Sequence, residues 1–121
     1  MKELRIYTLA NCDTCRRTMH WLEAGGHPFE ERPIRESPPT RPELRTMLTA
    51  YGGERQRLFN TAGRDYRALK LGARLPTLSD DEALGLLAAN GRLVKRPFLL
   101  GHGVALVGFD PKIWAAALRR A

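Results

Sequence analysis

LANCDTCRRTMHWLEAGG, residues 9–26, holds both cysteines of the 121-residue chain, three positions apart, at the point where an apolar run gives way to a helical period. Upstream, LRIYTLA at 4–10 alternates and carries β-branched and aromatic side chains, the pattern of a first strand. From Asp13 or Thr14 onward, Cys15, Met19 and Leu22 fall on one helical face, and Gly25-Gly26 supplies the stop. A Cys-x-x-Cys opening a helix sets Cys12 against the free N–H groups of the first turn, whose partial positive charge favours a thiolate over a thiol. Cys15, one turn later, is near enough to attack a mixed disulfide at Cys12 and release the attached thiol. Arg16 lies one helical turn from Cys12 and is either a charge that holds an anion or the thiolate, or a solvated helix charge.

Outward from this stretch, HPFEERPI at 27–34 reads as a second strand, which Pro28 and Pro33 confine to limited pairing or an edge. ESPPTRPE at 36–43 breaks any further strand. Thr40 and Glu43 have capping-box spacing ahead of Leu44, Met47, Leu48 and Tyr51, with Gly52 as the end. A second box, Ser79 and Glu82, precedes Ala83, Leu84, Leu87 and Ala88 and closes at Asn90-Gly91, and a shorter helix is expected around Asp65 to Leu71. After Arg96-Pro97, FLLGHGVALVGF at 98–109 reads as two strands joined by a Gly-rich turn. Asp110-Pro111 then caps a last helix whose Ile113, Trp114, Ala117 and Leu118 share a face.

The order strand, helix, strand, helical block, hairpin, helix predicts an α/β fold. A strand-helix-strand unit favours a parallel pair, and the hairpin adds an antiparallel one. The expectation is a thioredoxin-like (glutaredoxin-like) mixed four-stranded sheet with helices on both faces. It forms a single domain over residues 1–121, with a helical insertion at approximately 38–93 before the C-terminal hairpin and helix.

Composition narrows the chemistry. No window approaches the roughly 18 apolar residues of a membrane span, and the apolar run in MKELRIYTLAN is too short for a secretory signal, so a cytoplasmic location is expected, with no membrane partner. In that reducing compartment a Cys-x-x-Cys is more often catalytic or metal-binding than a structural disulfide. A structural zinc site needs about four ligands, and there is no second cysteine pair. Arg16, not histidine, follows Cys15, which removes a haem attachment, and His20, His27 and His102 show no metal spacing, so no metal is expected. Twenty basic against thirteen acidic residues give +7, but the arginines are scattered, so direct nucleic-acid binding is not expected. Trp21 and Trp114 read as core aromatics. Thr61 reads either as a ligand contact with Asn60 or as the cap of the next short helix, the cap being favoured.

YTLANCDTCRRTMHWLEAGG, followed downstream by LVKRPFLL and ALVGFD, resembles the arsenate reductase (ArsC) and Spx superfamily over nearly the whole chain, and NCDT with FNTAG is closest to its thiol-reductase branch. The resemblance implies a thioredoxin-like fold with a helical block before the final hairpin. Arsenate reductases of this kind attack arsenate with a cysteine at the Cys12 position, and glutathione and glutaredoxin complete the reduction; Spx members carry a Cys-x-x-Cys switch and bind the RNA polymerase alpha subunit. Cys12 and Arg16 match the nucleophile loop, and Arg96-Pro97 matches an arginine and a proline, cis by resemblance, opposite the nucleophile. Two further arginines of the arsenate enzymes correspond here to Asn60 and Gly108, which removes charge-assisted donors that a doubly charged oxyanion needs. Cys15 stands where the glutaredoxin-coupled enzymes have serine.

The resulting expectation is a thiol-dependent reductase with Cys12, Cys15, Arg16 and Arg96 as catalytic residues, and Asn11, Asn60, Thr61, Arg96 and Pro97 around the substrate. No cofactor is expected to be bound; the electron donor is glutathione or a glutaredoxin- or thioredoxin-type dithiol protein, and the substrate an oxidised protein or small oxyanion. A monomer is expected. The alternatives are an Spx-like regulator binding the RNA polymerase alpha subunit, and a true arsenate reductase.

Overall fold

The computed structural model describes residues 3–119. Four strands, β1 (Leu4–Thr8), β2 (Phe29–Pro33), β3 (Phe98–Gly101) and β4 (Val104–Val107), form one mixed sheet in the order β2-β1-β3-β4. β1 runs parallel to β2, pairing Leu4 with Phe29 and Ile6 with Glu31, and antiparallel to β3, pairing Tyr7 with Phe98 and Arg5 with Leu100. As expected from Pro28 and Pro33, β2 is an edge. β3 and β4 pair antiparallel through a two-residue turn in which His102 and Gly103 both have positive φ, 53° and 74°, as a primed hairpin turn requires.

The helices are α1 (Asp13–Ala24), α2 (Arg41–Ala50), α3 (Arg64–Ala68), α4 (Leu71–Arg74), α5 (Asp80–Ala89) and α6 (Pro111–Arg119). The chain divides into two compact units, Met1–Pro33 with Arg96–Ala121, and Ile34–Lys95. The first contains the sheet, α1 and α6. Leu22 of α1 and Trp114 and Leu118 of α6 pack with Leu4, Ile6, Leu99, Val104 and Leu106, so both helices cover the same face of the sheet. Tyr7 and Phe98, paired on the opposite face, meet edge-on at 5.7 Å between ring centroids and are also buried. Trp114 anchors α6: its indole N–H donates to the Gly108 carbonyl at 2.9 Å and its ring meets Trp21 and Phe109 edge-on. Asp110 accepts from the Lys112 N–H at 3.1 Å as the sequence predicts, but Ile113 is 53% exposed and does not share the Trp114 and Leu118 face.

In the second unit both capping boxes form: Thr40 and Ser79 accept from the backbone of Glu43 and Glu82, whose carboxylates accept from the N-cap backbones in return. Leu44, Met47 and Leu48 of α2 and Ala83, Leu84 and Leu87 of α5 are the buried faces. The expected helix around 65–71 is instead two short ones, broken where Lys70 adopts a left-handed φ of 55°. Short 3-10 turns at Arg55–Leu58, Leu75–Thr77 and Gly91–Leu93 complete the unit.

Candidate active site

Pairing between β1 and β3 explains how residues more than eighty positions apart come together. Because the strands are antiparallel with Tyr7 opposite Phe98, the chain leaving β1 and the chain entering β3 lie at the same end of the sheet. Cys12 follows the first and Arg96-Pro97 precedes the second.

Between β1 and α1 the backbone turns at Asn11, exposed, with a φ of 64°, a conformation that asparagine tolerates better than most residues. Cys12 then takes the N-cap position, with an extended backbone (φ −101°, ψ 112°). Its carbonyl accepts the first intrahelical bond, from the Arg16 N–H at 3.0 Å, and its sulfur accepts from the Cys15 N–H at 3.4 Å. A sulfur therefore occupies the place usually taken by a serine or aspartate oxygen, facing backbone donors that favour its negative form.

The two cysteines are reduced and unlike. Cys12 is half-buried and Cys15 fully buried. Burial on its own pushes the Cys12 thiol up, but the side chain and backbone of Cys15, which both donate to its sulfur, and the charge and hydrogen bond of Arg96 together bring it below the ordinary value. Cys15 moves the other way: burial, then its hydrogen bond to Cys12 and the negative charge there, push it up to about 12, against a backbone hydrogen bond from Leu9 and the attraction of Arg96. The pair is therefore polarised: Cys12 is the more readily ionised of the two thiols, and Cys15 the one that holds its proton.

Arg96 is half-buried and the peptide joining it to Pro97 is cis. Pro97 is buried, and its carbonyl accepts from the Gly108 N–H at 2.9 Å, which ties the entry of β3 to the exit of β4. Arg16 does not reach toward the Cys12 sulfur: its guanidinium donates to the Asp13 carboxylate, three positions back. Asp13 is the residue that sequence reasoning passed over, although opposite charges at i and i+3 on a helix are a readable pairing signal. Asn60 and Thr61 belong to the other unit, between Phe59 and α3. The Asn60 N–H donates to the Leu93 carbonyl at 2.7 Å, and its own carbonyl accepts from Gly63 at 3.1 Å. Thr61 is exposed and is not a helix cap: α3 begins three residues later, with Gly63 at its N-cap and no side-chain cap bond, because the turn closed by Asn60 and Gly63 intervenes.

Among the described residues no three His, Cys, Asp or Glu side chains gather closely enough to hold a metal ion, and no helix is long and apolar enough to cross a membrane.

Comparison with known proteins agrees with this geometry. The chain is 40% identical over 106 residues to the protein YusI of Bacillus subtilis, covering 88% of this chain and 90% of that one. It is 30% identical over 110 residues to the regulatory protein MgsR of the same organism, covering 91% and 86%. The crystal structure of a possible arsenate reductase from Streptococcus mutans superposes with a TM-score of 0.84 at 37% identity, covering 91% of this chain and 93% of the other. Residues 7–117 match the ArsC family, and with its mixed sheet and its Cys12 and Cys15 at the head of α1, the chain belongs to that family.

Proposed function

We propose that this chain is a thiol-disulfide oxidoreductase in which Cys12 is the nucleophile, Cys15 the resolving thiol, and glutathione or a glutaredoxin- or thioredoxin-type dithiol protein the electron donor. The observation that supports this most is the Cys12 sulfur at the N-cap of α1, receiving the Cys15 N–H at 3.4 Å beside Arg96 while Cys15 keeps its proton.

The Cys12 thiolate attacks the glutathione sulfur of a mixed disulfide. A Cys12–glutathione bond forms as the original S–S bond breaks, and the departing thiolate takes a proton from solvent. Cys15 then gives up its proton to solvent and attacks the Cys12 sulfur; glutathione leaves as thiolate and the Cys12–Cys15 disulfide remains. Two electrons from two glutathione molecules, or from one dithiol protein, restore both thiols. Bonding at Cys12 cancels the negative charge that helps hold the Cys15 proton, so Cys15 ionises more readily in the adduct than in the free protein, against the burial that persists. Arg96 stabilises negative charge on the thiolate or substrate, and Pro97 and Asn11 shape the approach.

The test is reduction of a glutathionylated peptide, followed as free peptide thiol. Wild-type protein turns over with glutathione and Cys12→Ser does not; equal rates for the two overturn the proposal. With Asn60 and Gly108 in place of two arginines of the arsenate enzymes, turnover of arsenate with glutathione and glutaredoxin is expected to be weak. Robust turnover identifies a true arsenate reductase instead.

The 30% identity to the regulatory protein MgsR favours one second reading, a redox-switched regulator, for which the resemblance to Spx members implies the RNA polymerase alpha subunit as partner. Capture of that subunit by one redox form of the chain alone supports the regulator, and no capture by either form supports the enzyme.

A further inference from the structure

The first two turns of α1 carry two arginines that could serve an anion at Cys12, and neither is aimed there. Arg16 Nη2 donates to Asp13 Oδ1, and Arg17 Nη2 meets Thr14 Oγ1 at 3.4 Å. Both bonds close within α1, on solvent-facing side chains. The cation beside the Cys12 sulfur comes from the other arm of the sheet unit, Arg96. Asp13, adjacent to the nucleophile, thus neutralises the arginine that would otherwise add a second positive charge at the rim, and it contributes a carboxylate of its own there.

We propose that Asp13 is a positioning residue that sets the charge preference of the Cys12 site. By holding the Arg16 guanidinium on its carboxylate, it makes the site favour disulfide substrates bearing at most one negative charge near the scissile bond and disfavour dianions. The inference rests on Cys12 being the reactive thiolate of the proposed function. It separates the substrate class from the nucleophile: the sulfur is made reactive by Cys15, the helix turn and Arg96, while the Asp13–Arg16 pair decides which charges approach it.

The test uses two alkylating agents that share a reacting carbon and differ by one charge, iodoacetamide and iodoacetate. In each case a sulfur–carbon bond forms as iodide leaves. Rates at Cys12 are measured on the intact reduced protein at low salt, where exposed charges are least screened, with the site assigned by peptide mass spectrometry. The readout is the iodoacetate to iodoacetamide ratio, which a general loss of stability or reactivity does not move. Asp13→Asn frees Arg16 and is expected to raise the ratio about two- to fourfold, the scale of a single exposed charge. Arg16→Gln leaves Asp13 unneutralised and lowers it by a similar factor, and the double variant returns toward wild type. A ratio unmoved in all three variants overturns the inference while leaving the nucleophile in place. Iodoacetamide reacting with Cys12 no faster than with an ordinary thiol overturns the underlying thiolate reading instead.

Discussion

At the scale of single residues, two cysteines three positions apart are driven in opposite directions by one arrangement. Burial works against ionisation at both, but Cys12 has donors and Arg96 to offset it, while Cys15 has the Cys12 charge added to its burden. Cys15→Ala removes one donor to the Cys12 sulfur, so the Cys12 alkylation profile moves to higher pH; Arg96→Gln moves it the same way. In Cys15→Ala treated with glutathione disulfide and no added thiol, the mixed disulfide with glutathione accumulates, because no internal thiol resolves it, and intact-mass spectrometry detects the adduct. Stability follows with definite signs. Cys12 is depressed, so its contribution is present above its unfolded value of 9.0 and is lost as pH falls through its folded value. Cys15 is raised, so its contribution is full below 9.0 and is lost as pH rises toward about 12. Denaturant titrations across that upper window therefore show wild-type reduced protein losing more stability than Cys15→Ala. The Cys-x-x-Cys was readable because its spacing is its chemistry; the i, i+3 spacing of Asp13 and Arg16 signalled their pairing too, but spacing alone does not decide between that carboxylate and the Cys12 sulfur as the anion Arg16 faces.

At the scale of elements, what was local was legible. Each capping box is settled by two residues three apart, and both form; Thr40→Ala is expected to cost about 1 kcal/mol, read as a shift in the denaturation midpoint. The hairpin was legible because His102-Gly103 offers the backbone a primed turn. The break between α3 and α4 was not, because Lys70 takes a left-handed conformation with none of the usual glycine or asparagine signal. Ile113 sits at a helical spacing compatible with the buried face, yet with Trp114 and Leu118 turned into the core it is exposed. Trp114→Ala removes the largest side chain of the buried cluster and is expected to cost about 3–5 kcal/mol. In the other unit a Cβ at Gly91 would lie 1.8 Å from the Ile34 carbonyl oxygen, so backbone must move. Gly91→Ala is expected to cost about 3 kcal/mol in the same measurement.

At the scale of the whole molecule, the order of strands and helices predicted the mixed sheet, because parallel pairing needs an intervening helix and antiparallel pairing needs only a turn. Periodicity alone does not say that Arg96 arrives beside Cys12. That follows from the register of β1 against β3, a long-range choice made by the packing of both sheet faces. The +7 charge likewise selects no partner, as several arginines are held by neighbouring acids, among them Arg16, Arg45 and Arg55. Above all, the assembled molecule lowers the pKa of the Cys12 thiol. The most direct measurement is the rate of Cys12 alkylation by iodoacetamide as a function of pH, on the intact reduced protein with Cys15 in place. The account predicts a half-maximal rate clearly below pH 9.0, the ordinary cysteine value, and a midpoint at or above 9.0 would contradict it.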